Sequence, residues 1–183
     1  MNPEFPESID RFQVKGLLGE GGMGQVLHAF DPKMGQEVAI KVIHPALLTR
    51  SKVYARATRE LQVMLSLRAH PNIVTVLDYV EHPFAVVMEF LQGDNLYDLL
   101  ESRGAPLSFD DSLKYGLEMV DAIGFAHEKG VLHRDIKSGN VMLVQLGKQR
   151  KVKILDFGLA GFLEDDQDQK LTRAGARLGT PGY

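Results

Sequence analysis

Three glycines in the run LGEGGMGQV, Gly19-x-Gly21-x-x-Gly24, constrain the fold of this chain most tightly, because of what flanks them. FQVKGLLG (12–19) before them, and QVLHAF (25–30) and EVAIKVI (37–43) after them, are short and rich in β-branched and aromatic residues, as strands are. A dinucleotide-binding turn has to open a helix after its last glycine. A Walker-type loop needs Lys-Ser/Thr there. Gln25-Val26 follows instead, and the chain continues as strand, turn and strand. Two readings remain. One is a flap whose missing side chains let backbone N–H groups come close to phosphate oxygens. The other is a plain glycine hairpin.

The β-rich character persists through IVTVLDYV (73–80) and FAVVMEF (84–90), with turn signals at Gly21-Gly22, Asp31-Pro32, Gly35 and His82-Pro83. One helix interrupts it. Between Ser51 and Arg68, the residues Val53, Ala57, Glu60, Met64 and Leu67 fall on a single helical face, with Glu60 a carboxylate in an apolar stripe. The second half turns helical. Asn95 to Ser102 forms a short helix. Ser108 to Lys129 forms a longer one, with Ser108 as N-cap, Gly130 just past the end and an inner face of Leu113, Leu117, Val120 and Gly124. VMLVQL and KVKIL are two further strands, and a polar segment runs from Asp156 to Tyr183. The first half thus reads as strands and the second as helices, with a lobe boundary near Leu91 to Asp94, and 183 residues suit one large domain or two small lobes.

Composition narrows the chemistry. There is no cysteine, so disulfides, Cys-ligated zinc and a thiol nucleophile are excluded, and a reducing compartment is compatible. A net charge of −3 gives no basic footprint for nucleic acid. No apolar run approaches the ~20 residues of a membrane helix, and the acidic, Pro-containing start is unlike a signal peptide.

Two clusters carry candidate chemistry. In VAIK, Ala39 and Lys41 share one strand face, so Ala39 can offer a small apolar surface to a purine and Lys41 a cation to phosphates. Glu60 is the natural counter-ion for Lys41; a solvated charge is the bland reading of each. HRDIKSGN (133–140) then packs four chargeable side chains and an Asn into eight residues.

With these motifs in order, the chain resembles the eukaryotic-type protein kinases, in the style of the bacterial serine/threonine branch. The glycine loop lies at 19–26, VAIK at 38–41, the helix glutamate at 60, HPNIV at 70–74, VMEF at 87–90, HRDIKSGN at 133–140, DFG at 156–158 and GTPGY at 179–183. The resemblance implies an α+β, kinase-like two-lobed fold. Residues 1–90 are then the antiparallel β N-lobe with one regulatory helix, and 91–183 a partial, mainly helical C-lobe with helices D and E, the catalytic loop and the activation segment. It implies ATP and Mg²⁺ as cofactors, protein substrates with Ser/Thr acceptors, autophosphorylation in trans, and a cytoplasmic location.

Site roles follow from the same resemblance. Asp135 would handle the substrate hydroxyl's proton, Lys137 would sit at the γ-phosphate, and Asn140 and Asp156 would hold the metal. The nucleotide would contact Leu18, Gly19, Glu20, Gly21, Gly22, Met23, Gly24, Gln25 and Val26 of the flap, then Ala39, Lys41, Glu60 and Met142. Glu89 to Leu91 would be the hinge and Met88 the gate before it. Met64, Val76, His133 and Phe157 would stack as an internal column. His133 and His127 are expected to pack rather than to act as bases. Arg134 would await a phosphate on Thr172, while Thr180 would contact Asp135 and Lys137.

The chain departs from the family pattern at Ser138-Gly139, where Pro-x is commoner, and at Gly161, where a basic residue is frequent. It ends at Tyr183, before the family's Ala-Pro-Glu, so a truncated catalytic domain is expected. Because of that expectation an inactive ATP-binding or scaffolding fragment stands as the alternative function. A small-molecule kinase is a third reading, set against by GTPGY and the Arg134-Asp135 pair.

Overall fold

The computed structural model describes residues 5–48, 58–59, 61–147 and 149–157. The chain divides into two compact units, one of Met1–Leu61 with Thr75–Leu91 and the other of Gln62–Val74 with Gln92–Tyr183.

The first unit is an antiparallel six-stranded sheet in the order β1-β2-β3-β4-β6-β5. Its strands are β1 (Ser8–Ile9), β2 (Phe12–Gly21), β3 (Gly24–Asp31), β4 (Gln36–Ile43), β5 (Val76–Val80) and β6 (Ala85–Glu89). Directly opposed residues share a face, and the pairs Leu27–Ile40, Ala29–Val38 and Ile40–Val87 lie on one side. These residues join Ile9, Phe12, Val80 and Ala85 in a single apolar core. Leu27 and Ile40 are fully buried, and each such side chain stabilises the sheet by about 1.5–3 kcal/mol. At the sheet's edge the Arg11 guanidinium donates to both oxygens of Asp31, at 3.2 and 3.1 Å, and to Asp78 Oδ2 at 2.7 Å. Its hydrogen bonds hold the Asp31 carboxyl below the usual carboxylate range, against the opposing effect of burial.

The second unit holds a three-stranded sheet, β7 (Gly93–Asn95), β8 (Val141–Leu146) and β9 (Gln149–Ile154), and two helices, Leu96–Arg103 and Phe109–Glu128. Asn95 caps the shorter helix by accepting from the Tyr97 amide, and Gly104, at φ 58°, ends it in the left-handed conformation. Ser108 caps the longer one: its Oγ accepts from the Asp111 amide at 3.1 Å and donates to the Asp111 carboxylate at 2.8 Å.

The longer helix corrects a sequence expectation. Leu113, Leu117 and Val120, read as its inner face, are 52%, 62% and 68% exposed. The buried face is Tyr115, Ala122 and Ala126, with Met119 and Ile123 beside them, against Val141, Leu143, Val152 and Ile154. Ala122 and Ala126 are fully buried there, so the stripe of Leu113, Leu117 and Val120 was the wrong one to follow. A side chain at Gly116 or Gly124 would meet nothing within 4 Å, so neither glycine serves close packing among the described residues.

The segment Gln62–Val74 also departs from a clean division at residue 90. Residues 61–65 are helical and pass into a 3-10 turn, Ser66–Ala69. The rest of the expected 51–68 helix, including Val53, Ala57 and Glu60, lies outside the described residues. Beyond the turn the chain joins the second unit. Ile154 N–H donates to Asn72 O at 2.8 Å, and Val74 N–H donates to Ile154 O at 2.9 Å. Ile73 makes a parallel bridge to Ile154, so β5 begins only at Val76 rather than at 73.

Candidate active site

The loop HRDIKSGN folds back on itself. Asn140 Nδ2 donates to the Asp135 carbonyl at 2.8 Å and to its Oδ2 at 3.1 Å. Lys137 Nζ lies 2.8 Å from the same Oδ2. Ser138–Asn140 is a 3-10 turn whose last amide donates to Lys137 O at 2.9 Å. Asn95 Nδ2 donates to Gly139 O at 2.7 Å, tying the loop to the cap of the first helix. Three of the expected site residues, Asp135, Lys137 and Asn140, are thus brought together.

His133 anchors this loop to the segment just past β9 that carries Asp156. It is buried. The Asp135 amide donates to Nδ1 at 3.3 Å, so the proton sits on Nε2, which donates to Leu155 O at 2.7 Å. Burial pushes the imidazole pKa below its ordinary value, and the ring meets Phe157 edge-on at 4.6 Å. Both ring nitrogens are engaged with backbone, so His133 offers no base. His127, also expected to pack, is exposed instead. Leu155 N–H donates to Asn140 O at 2.9 Å. Asp156 follows at φ 57° and Arg134 stands at φ 67°. Two non-glycine residues in the left-handed region within one loop system mark a backbone held by its surroundings.

Among the described residues no group of three His, Cys, Asp or Glu side chains could cage a metal. The donor set is nonetheless apt for Mg²⁺, which takes few protein oxygens and is completed by phosphates and water. Asn140 commits its amide nitrogen to Asp135, so its oxygen is the atom that would be offered to a cation, and Asp156 would add a carboxylate.

In the first unit, Val26 opposes Lys41, His28 opposes Ala39, and Met88 opposes Ala39 from the other side. Val26, Ala39, Lys41 and Met88 therefore share the face turned away from the apolar core. Lys41 is buried there. The flap is the tip of the β2–β3 hairpin, from Leu18 and Gly19 through Glu20, Gly21, Gly22 and Met23 to Gly24 and Gln25. Its glycines differ in kind. A Cβ on Gly24, at φ 143°, would fall 1.8 Å from Val42 O, whereas Gly19, Gly21 and Gly22 look into open space. At the expected hinge, Glu89 N–H donates to Thr75 O at 2.9 Å, and its carboxylate accepts from Thr75 N–H at 2.7 Å. Leu91 is half-buried, and Met142 sits on β8 opposite Asn95. Glu60, Thr172 and Thr180 lie outside the described residues, while Met64 and Val76 are both buried.

Sequence reasoning missed His28. It sits two residues from Val26, on the same face, with its ring stacked 4.2 Å from Phe90 and Nε2 2.6 Å from Glu37 Oε2. Strand alternation alone could have placed it there. Asn72 and Glu118 were also missed, although Glu118 gave the same sequence signal as Glu60, a carboxylate within an apolar helical stripe.

A curled antiparallel sheet with a glycine flap, together with a folded HRDIKSGN loop beside Asp156, defines the class of protein-kinase-like catalytic domains. The chain belongs to the protein kinase domain family, whose model matches residues 12–183. It is 35% identical over 183 residues to the serine/threonine-protein kinase pkn2 of Myxococcus xanthus, covering 97% of this chain and 22% of that protein. It is 37% identical over 180 residues to the probable serine/threonine-protein kinase SCO3848 of Streptomyces coelicolor, covering 94% and 26%. The crystal structure of the Mycobacterium tuberculosis PknI kinase domain matches with a TM-score of 0.73 and 29% identity, over 82% of this chain and 61% of that one. The chain thus spans about a quarter of these two curated relatives' length. No helix among the described residues is long and apolar enough to cross a membrane.

Proposed function

We propose that this chain carries the machinery of a serine/threonine protein kinase, which moves the γ-phosphoryl group of ATP to a Ser or Thr hydroxyl of a protein. The observation that carries this reading is the Asp135–Lys137–Asn140 cluster, coupled through Leu155 to Asp156. Phosphoryl transfer asks the protein mainly for positioning and charge stabilisation, and the loop supplies both. Asp135 accepts the hydroxyl proton, its carboxylate oriented by Lys137 and Asn140. Lys137 meets the charge that builds on the transferred group. Asn140 and Asp156 offer oxygens to Mg²⁺, which when bound neutralises phosphate charge. On the first unit, Val26 and Ala39 receive the adenine, Lys41 receives phosphate oxygens, and the bare glycines 19, 21 and 22 leave backbone amides accessible to phosphate. Arg134 is assigned to a phosphate on Thr172.

The test is transfer of labelled γ-phosphate from ATP to a Ser/Thr protein by the full-length protein, with Mg²⁺ and with EDTA. Transfer that needs Mg²⁺ and vanishes in Asp135→Asn is expected. Nucleotide binding without any transfer in the intact protein would favour the scaffolding alternative.

A further inference from the structure

We propose that Glu118 is a positioning residue for Asp156, acting on the metal site through the outer edge of β9. The inference rests on the kinase reading above. Glu118 sits on the buried face of the Phe109–Glu128 helix, between Tyr115 and Ala122, and only 13% of its side chain is exposed. A carboxylate there must be fully partnered. Oε2 accepts from Val152 N–H at 2.8 Å and from Asn72 Nδ2 at 3.2 Å, and Oε1 accepts from Lys151 Nζ at 3.1 Å. Asn72 Nδ2 also donates to Val152 O at 2.8 Å. Glu118, Asn72 and the Val152 peptide groups thus close a ring.

That ring lies on the edge of β9 that faces away from β8. Among the described residues the sheet ends at β9, whose strand partner is β8. On its open edge Val152 N–H goes to Glu118, and two residues on, Ile154 N–H goes to Asn72 O while Ile154 O takes Val74 N–H. An unpaired edge is free to slip or fray. Here one part-buried carboxylate and a three-residue segment occupy it. Leu155 is then gripped through both its amide and its carbonyl, by Asn140 and His133. Asp156 comes next, in a left-handed conformation that a non-glycine residue keeps only when its neighbours are fixed. Outer partners of metal-binding residues commonly set affinity by about 10–100-fold. Glu118 does so at one remove, by fixing the strand that delivers the ligand.

The test uses the full-length protein with Mn²⁺ as the probe, its binding in the presence of ATP read by electron paramagnetic resonance, alongside kcat and the apparent KM for Mg²⁺. Glu118→Ala is expected to weaken Mn²⁺ binding about tenfold or more, with a matching rise in the KM for Mg²⁺ that exceeds any fall in kcat. Glu118→Gln keeps an oxygen for Val152 and Asn72 and is expected to recover most of the affinity. A lower kcat with unchanged Mn²⁺ affinity in Glu118→Ala would show a merely structural role and overturn the proposal. Should that variant not fold, Asn72→Ala opens the same ring from the other side, and wild-type Mn²⁺ affinity there overturns it equally. Wild-type protein that binds no Mn²⁺ with ATP would overturn the kinase reading itself.

Discussion

Asn140 reaches back five residues to Asp135 and holds it twice with one amide group, at the carbonyl and at Oδ2. The loop is therefore a closed unit in which the proposed proton acceptor and a proposed metal ligand orient each other. Asp135→Asn is expected to lower kcat by about 10²–10⁴-fold while nucleotide affinity changes little. Asn140→Ala should lower kcat and weaken Mg²⁺ dependence together. Steady-state kinetics across Mg²⁺ concentrations separate the two patterns.

The flap glycines should divide by substitution. Gly24→Ala places a Cβ against the Val42 carbonyl and is expected to cost about 2–4 kcal/mol. Gly21→Ala meets open space, so unfolding by urea should scarcely change while ATP titration shows weaker binding. Equal stability losses in both would contradict the distinction.

Arg11 and Asp31 set part of the acid limb. Asp31 titrates below its ordinary 3.8 in the folded chain because Arg11 donates to it. That stability is present above the ordinary value and is lost as pH falls through the lower folded one. Arg11→Ala removes the cation and leaves the buried Asp31 carboxylate to the Lys33 and Met34 amides. Because Arg11 is itself 30% exposed, the loss should be about 2 kcal/mol, under the 3–5 of a fully buried pair. Urea titrations between pH 7 and pH 3 should show a flatter acid limb in the variant.

His133 acts in a different window. Its folded pKa lies below the ordinary 6.5, so the unfolded chain binds the proton first. Stability should begin to fall as pH drops through 6.5 and finish falling below the folded value, by at most about 1.4 kcal/mol per pH unit. Protonation would also oppose the Asp135 amide at Nδ1. A His133→Gln variant should lose this slope between pH 7.5 and 5.

Phosphorylation of Thr172 is expected to raise turnover through Arg134. Thr172→Ala should lower autophosphorylation and substrate transfer by an amount that mass-spectrometric occupancy of Thr172 tracks in the wild type. Unchanged turnover in the variant would remove the switch.

Most strands of the first unit were legible because they are short runs rich in β-branched and aromatic residues, and the turn residues punctuate them. β1 and β7 were not, since two or three residues are too few to show alternation. The long helix was legible in extent but not in orientation. Its cap, Ser108 with Asp111, is local chemistry, whereas the choice between two apolar stripes depends on which one fits a neighbour. The HRDIKSGN loop was legible as a cluster, and the resemblance assigned its roles. What the sequence could not show was the traffic of backbone bonds through Leu155 and Asn72, because those partners are fixed only by the fold.

The placement of Gln62–Val74 in the second unit has a consequence for how the chain is made. Asn72 emerges from a ribosome 80 residues ahead of Val152, the strand residue that satisfies its amide. At ordinary elongation rates that gap is roughly four to sixteen seconds. For that interval β5 and β6 can close the first sheet, while the segment just before them still waits for a partner not yet synthesised. The nascent chain must therefore complete one lobe around a loop whose fate belongs to the other, and the closure of Asn72 on β9 is a late, long-range step.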